Sequence, residues 1–126
     1  MEGDPVKLLL VDDERAFVDV LYNRFKRKGL AVSKAYSGTE AIRSLREQDF
    51  DVSVLDLKME DMDGIEVLKV FKRMDPSLQV VMLTGHGSER AAREGISQGA
   101  YDYLIKPVGL KRLVEVISAA LDSVSR

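Results

Sequence analysis

Short apolar runs alternate along the chain with longer segments of helical periodicity. The runs are Val6–Val11, Ala31–Ala35, Val52–Leu55, Leu78–Leu83 and Tyr103–Ile105. Each is short and most are rich in Val, Leu or Ile, which predicts strands. Between them, apolar residues recur at helical spacing. Phe17, Leu21 and Phe25 sit four apart; Ile65, Val67, Leu68 and Phe71 cover one broad side of a helix; Leu110, Leu113, Val114, Ile117 and Leu121 form a stripe on the last one. Ser37-Gly38-Thr39-Glu40 reads as a capping box opening the helix that carries Ala41, Ile42 and Leu45. Asp75-Pro76 closes the third helix, and Gly29 and Gly99 are C-terminal stops. The fourth helix, 88–98, is thinly anchored: Ala91, Ala92 and Ile96 are its apolar contacts, and Gly95 costs about 1 kcal/mol against alanine.

Strands that alternate with helices imply right-handed crossovers and a parallel sheet. Leu8–Val11 and Val80–Leu83 are continuously apolar, as in strands covered on both faces, whereas Ala31-Val32-Ser33-Lys34-Ala35 is interrupted by polar residues, as an edge strand is. The predicted fold is α/β, a (βα)5 doubly wound sheet of five parallel strands in order 2-1-3-4-5, with residues 1–126 as a single domain. In such sheets ligands bind beyond the carboxyl ends of the strands, at the topological switch point. The residues there are Asp12 and Asp13 after strand 1, Asp56 after strand 3, Thr84 after strand 4 and Lys106-Pro107 after strand 5.

Three carboxylates in one crevice repel one another unless a cation intervenes. A hard divalent ion with oxygen ligands resolves this, and Mg²⁺ is the common intracellular choice. Lys106 adds a fixed positive charge and Thr84 a hydroxyl. The cluster is asymmetric, with two acids on one loop and a third alone on the next strand. A lone Asp56 surrounded by cation, ammonium and hydroxyl suits a carboxylate nucleophile that accepts a phosphoryl group. Each residue alone has a plainer explanation. Asp12-Asp13 would serve as a helix cap, Asp56 as part of a solvated acidic loop, and Thr84 and Lys106-Pro107 as turn residues. Their convergence on one sheet edge favours the chemical one.

Composition narrows the field. The chain has 126 residues, a net charge of −2, 45% hydrophobic residues and no Cys. That excludes a disulfide framework, a zinc–thiolate site and a cysteine nucleophile, and removes any global attraction to nucleic acid or an anionic membrane. No apolar run approaches the length of a membrane span and no signal peptide is visible, so the expected location is cytoplasmic by default.

The sequence resembles the receiver domain of two-component response regulators from about Lys7 to Leu121. The resemblance is carried by LLLVDDE, SVLDLKMEDMDG, VVMLTGHG and AYDYLIKPV. It implies a flavodoxin-like three-layer sandwich with Asp56 as phosphoacceptor and Asp12 and Asp13 as Mg²⁺-binding acids, the backbone carbonyl of Lys58 being the further protein ligand. It also implies Thr84 as the switch hydroxyl, Lys106 as its charged partner, a cis Lys106–Pro107 peptide, and Tyr103 as the aromatic that changes rotamer with the switch. The donor implied is a phosphohistidine on a histidine kinase or phosphotransfer protein. The domain would catalyse only its own phosphorylation and dephosphorylation, and its output face would be the fourth helix, fifth strand and fifth helix. Homodimerisation on phosphorylation stays open, as does a stand-alone receiver against a piece of a longer regulator, since no output segment follows the last helix before Arg126.

Two positions depart from the family pattern. Glu60 stands where proline is common, which predicts a less rigid loop after Asp56. Lys58 puts an ammonium within reach of Asp56 or of its phosphoryl oxygens, with consequences for phosphoryl lifetime. His86, the only histidine, is expected on the rim beside Thr84, and Gly85 is expected to leave the acceptor open. Two competing functions share the topology. A flavodoxin-like redox carrier needs a hydroxyl-rich phosphate loop and flavin-stacking aromatics, where this chain has Asp12-Asp13-Glu14 and no Trp. A phosphorylation-independent interaction module would not need the acid pair, Thr84 and Lys106 together.

Overall fold

The computed structural model describes residues 3–85 and 87–124. Five strands and five helices alternate: β1 (Lys7–Val11), α1 (Arg15–Arg27), β2 (Ala31–Ala35), α2 (Gly38–Glu47), β3 (Val52–Leu55), α3 (Gly64–Met74), β4 (Gln79–Thr84), α4 (Glu89–Ser97), β5 (Asp102–Ile105) and α5 (Leu110–Asp122). All strand pairs are parallel and the order is β2-β1-β3-β4-β5, as the run pattern predicts. The strand bounds differ from the apolar runs by a residue or so, because hydrogen bonding rather than hydropathy sets the ends.

Alternation along the strands builds two cores, one on each face of the sheet. Leu9, Val11, Leu55, Val80 and Met82 point to the side covered by α2 and α3, where they meet Ala41, Leu45, Val67, Leu68 and Phe71. Leu8, Leu10, Val52, Val54, Val81 and Leu83 point to the side covered by α1 and α5, against Val18, Leu21, Phe25, Leu113, Val116 and Ile117. The result is three layers with a sheet buried on both faces. The apolar stripe of α5 is centred one position from the sequence reading: Leu113, Val116, Ile117 and Ala120 are buried, and Leu110, Val114 and Leu121 lie on its flanks.

The punctuation is chemical. Gly29 and Gly99 follow α1 and α4 at φ of 92° and 108°, a left-handed conformation that costs residues with a Cβ. Ser37 caps α2 by accepting from the Glu40 N–H, and the Glu40 carboxylate reaches back to the Tyr36 N–H, one residue beyond the usual box. Gly64 opens α3 where a Cβ would collide with the Asp56 carbonyl oxygen and lie 2.7 Å from the Leu57 Cα, so only glycine lets the loop fold back onto the end of β3.

α4 is anchored less than the sequence suggests. Ile96 is 47% exposed and only Gly95 is buried, against Ile65, Met82 and Tyr103. The helix therefore lacks a large apolar side chain locking it to the sheet. Two outcomes are expected. Gly64→Ala lowers stability in urea melts by about 1–3 kcal/mol, the usual range for overpacking; an unchanged midpoint would contradict the close approach. Backbone amides of α4 exchange with solvent well before those of β1, β3 and β4; equal protection would show an anchor that the burial pattern does not.

Candidate functional site

The parallel register sets the site. β1 and β3 pair with Val11 opposite Leu55, so the next residues, Asp12 and Asp56, emerge side by side. Asp56 donates its N–H to the Val11 carbonyl and Asp12 donates its own to Ala35, holding both backbones in the sheet's geometry one residue past the strands. Thr84 pairs with Ile105, and Lys106 donates its N–H to the Thr84 carbonyl, which carries the lysine to the same edge. The Lys106–Pro107 peptide is cis.

Asp12, Asp13 and Asp56 each offer a carboxylate oxygen, all within 4.8 Å of one another. Asp12 and Asp56 are each only 4% exposed and Thr84 is fully buried, whereas Asp13 is open to solvent. Neither Asp12 nor Asp13 caps α1; Glu14 occupies that position, although Asp12 Oδ1 accepts the Glu14 N–H at 2.9 Å. The plain capping explanation therefore does not account for the pair. The acids line a crevice of about 690 Å³ together with Glu14, Lys58, Met59, Glu60, Asp63, Gly85 and Lys106. Among the described residues other than its chain neighbours, a Cβ on Gly85 would meet nothing within 4 Å.

The electrostatics are unbalanced by design of the sheet. Burial pushes the Asp12 carboxyl above its ordinary range and the charge of Asp56 adds to this, while the Lys106 ammonium and the Glu14 N–H offset part of it. Lys106 lies 2.7 Å from Asp12 Oδ2 and 3.2 Å from Glu14 Oε1, with its ammonium 4.1 Å from the centroid of the Phe17 ring. Burial works against its charge, but Asp12 above all, then Glu14 and Asp56, outweigh this and hold the lysine above its usual range. Asp56 Oδ1 is buried and, among the described residues, has no hydrogen-bond partner. An orphaned carboxylate oxygen beside two further carboxylates fits a hard, oxygen-seeking cation, and Mg²⁺ or a similar ion suits this donor set.

Several sequence expectations change. The loop after Asp56 is tied rather than slack, because the Glu60 N–H, which a proline would lack, donates to Asp13 Oδ2 at 3.2 Å. Among the described residues no ion pair joins Lys58 to Asp56; Lys58 is exposed at the crevice wall and its backbone bridges to Asp63. His86 lies outside the described residues. Tyr103 turns inward against the α3 side of the core, its hydroxyl buried beside the Ser88 backbone without a well-formed hydrogen bond, and burial raises its pKa. The sequence reading missed Glu14 and Phe17 as contacts of Lys106. An acid adjoining the Asp12-Asp13 pair, and an aromatic one turn into α1, were the available signals.

Residues 8–118 match the family described as response regulator receiver domain. The transcriptional regulatory protein ZraR of Klebsiella oxytoca is 38% identical over 121 residues, covering 96% of this chain and 27% of that protein. The chain thus spans about a quarter of the length of that curated relative. A CheY-like receiver domain protein of Methanospirillum hungatei superposes with a TM-score of 0.92 at 28% identity, covering 95% of this chain and 96% of the other. A CheX–CheY–BeF3–Mg complex from Borrelia burgdorferi matches with a TM-score of 0.87 at 27% identity, over 93% of this chain and 90% of that one. Sheet order, carboxylate edge and sequence match agree, and the chain belongs to the response regulator receiver domains of two-component signalling.

Proposed function

We propose that the chain is a phosphorylation-operated switch in which Asp56 accepts a phosphoryl group from a phosphohistidine donor. The observation that carries this reading is the buried, unpartnered Oδ1 of Asp56 inside a carboxylate cluster with Lys106 beside it. An Asp56 oxygen attacks phosphorus; the P–O bond forms as the P–N bond to the donor imidazole breaks, and the bonding pair returns to that nitrogen. Asp12, Asp13, Asp56 and the Lys58 carbonyl would hold Mg²⁺. When bound, the ion neutralises charge on the transferring oxygens. Lys106 moves its ammonium from Asp12 toward the new phosphoryl oxygens, and Thr84 donates its hydroxyl to another. Gly85 leaves the approach clear for the donor. The Borrelia burgdorferi complex, described with BeF3 and Mg, supports the same ligand chemistry for this crevice.

The proposed output runs through Tyr103 and the weakly anchored α4. A buried hydroxyl without a good partner costs about 1–3 kcal/mol, which leaves Tyr103 poised between inward and outward positions. The surface that would read the change is the α4–β5–α5 face, where Ile96, Tyr101 and Ile105 are 47%, 38% and 50% exposed. Its partner would be a second copy of the chain or another domain. A phosphohistidine donor of kinase type goes with a cytoplasmic setting, and no helix of the described residues is long and apolar enough to cross a membrane.

Two outcomes test this. Incubation with acetyl phosphate and Mg²⁺ adds one phosphoryl mass, and chelation with EDTA or Asp56→Ala abolishes it; an adduct that persists in Asp56→Ala, or none in the wild type, contradicts the acceptor and favours a phosphorylation-independent interaction module. Lys106→Ala reduces the rate of adduct formation by about tenfold or more, the scale for losing one charge-stabilising contact in transfer; an unchanged rate in mass-spectrometric time courses would remove Lys106 from the machinery.

A further inference from the structure

The loop between β3 and α3 is strung between two bodies. On one side the Glu60 N–H holds Asp13 Oδ2. On the other, Asp61 Oδ1 accepts from the Gly38 N–H at 3.0 Å, and its Oδ2 accepts from the Thr39 N–H at 2.9 Å and from the Thr39 hydroxyl at 2.8 Å. These bonds cross more than 20 residues of sequence to reach the first turn of α2. That turn already has its own cap, since Ser37 takes the Glu40 N–H through its side chain and the Ala41 N–H through its carbonyl. Asp61 collects the two amides that Ser37 leaves, so it ties as well as caps.

The approach is close. A Cβ on Gly38 would lie 2.8 Å from the Met62 sulfur and 2.9 Å from the Met62 Cβ. Only glycine at the start of α2 lets the loop lie against it. The loop is stiffened internally by the Lys58–Asp63 bridge and by the Gly64 N–H donating to the Leu57 carbonyl at 2.6 Å. Burial works to raise the Asp61 pKa, but the Thr39 and Gly38 amides and the Thr39 hydroxyl outweigh it, and the carboxyl sits below its ordinary value. Asp61 itself is exposed, so its contribution to global stability is small. Its effect falls on the next residues along: Lys58, Met59 and Glu60 form one wall of the carboxylate crevice.

We propose that Asp61 is a positioning residue for the crevice: by clamping the β3–α3 loop to the N-terminus of α2, it holds the Lys58 carbonyl and the Glu60 N–H in register with Asp13. This rests on the reading of the crevice as a divalent-cation site. The role differs from simple capping in one respect. Ser37 serves α2 alone, whereas Asp61 couples α2 to the metal-facing loop. Losing Asp61 therefore alters cation affinity, and losing Ser37 does not.

The test is a Mg²⁺ titration of ¹⁵N-labelled protein, following the Asp13 and Glu60 amides, with hydrogen exchange of the Glu60 amide measured in metal-free buffer. In Asp61→Ala the Mg²⁺ dissociation constant rises about tenfold, the lower end for losing an outer positioning contact, and the Glu60 amide exchanges faster. Asp61→Asn, which keeps the volume, gives a smaller change in the same direction and serves if the alanine variant fails to fold. Ser37→Ala lowers the melting temperature but leaves Mg²⁺ affinity as in the wild type. Unchanged affinity in both Asp61 variants, or an equal loss in Ser37→Ala, overturns the clamp and leaves a helix cap. Absence of Mg²⁺-dependent shifts at Asp12, Asp13 and Asp56 in the wild type overturns the cation reading itself, and the clamp with it.

Discussion

Everything at the carboxyl edge of this sheet depends on one unfavourable contact, the convergence of Asp12, Asp13 and Asp56 within 4.8 Å. Parallel pairing of β1 with β3 forces it, because the register that buries Val11 against Leu55 delivers the next two residues side by side. Two of the three acids are almost fully buried, so water screens them poorly. Lys106 offsets part of the repulsion, yet it bonds Asp12 and Glu14 and leaves Asp56 Oδ1 without a partner. A fold that ends its central strands in acids therefore presents an unmet demand for positive charge at Asp56, whose buried oxygen lacks a partner among the described residues.

The surrounding structure manages that demand without removing it. Lys106 is fixed at the end of β5 by its N–H to Thr84 and rests over the Phe17 ring, so its ammonium sits between α1 and the crevice. The β3–α3 loop is drawn onto Asp13 through the Glu60 N–H and onto α2 through Asp61, and brings Lys58, Glu60 and Asp63 to the crevice wall. Rigid elements hold the acids while the thinly anchored α4, with Gly95 in place of a large core residue, lies over Tyr103. On the proposed reading, a change of charge at Asp56 would be felt most by the thinly anchored α4, beside which Ile96, Tyr101 and Ile105 are exposed.

Much of this was legible in the sequence. Runs such as Leu8–Val11 gave buried strands, the polar interruptions in β2 gave an edge, and reading the residue after each strand put Asp12, Asp56, Thr84 and Lys106 on one edge. What was not legible depended on side-chain direction. Ile96 fits a helical stripe but points outward, because Gly95 takes the inward position and lets the helix sit close. Glu60 suggested a looser loop, since the absence of proline is visible and the use of its N–H is not. Asp61 looked like one more acid in an acidic loop, and nothing local marks a bond to Thr39 across 22 residues. Long-range polar ties have no periodicity to betray them.

The acids sit in mutual repulsion that a divalent cation would relieve. Urea unfolding of the wild type and Asp56→Asn, each with EDTA and with saturating Mg²⁺, measures that repulsion. Removing one charge from the cluster should make Asp56→Asn the more stable protein in EDTA, and Mg²⁺ should stabilise the wild type clearly more than the variant. A wild type more stable than Asp56→Asn in EDTA, or an equal Mg²⁺ effect on both, would mean that the cluster holds no repulsion for a cation to relieve.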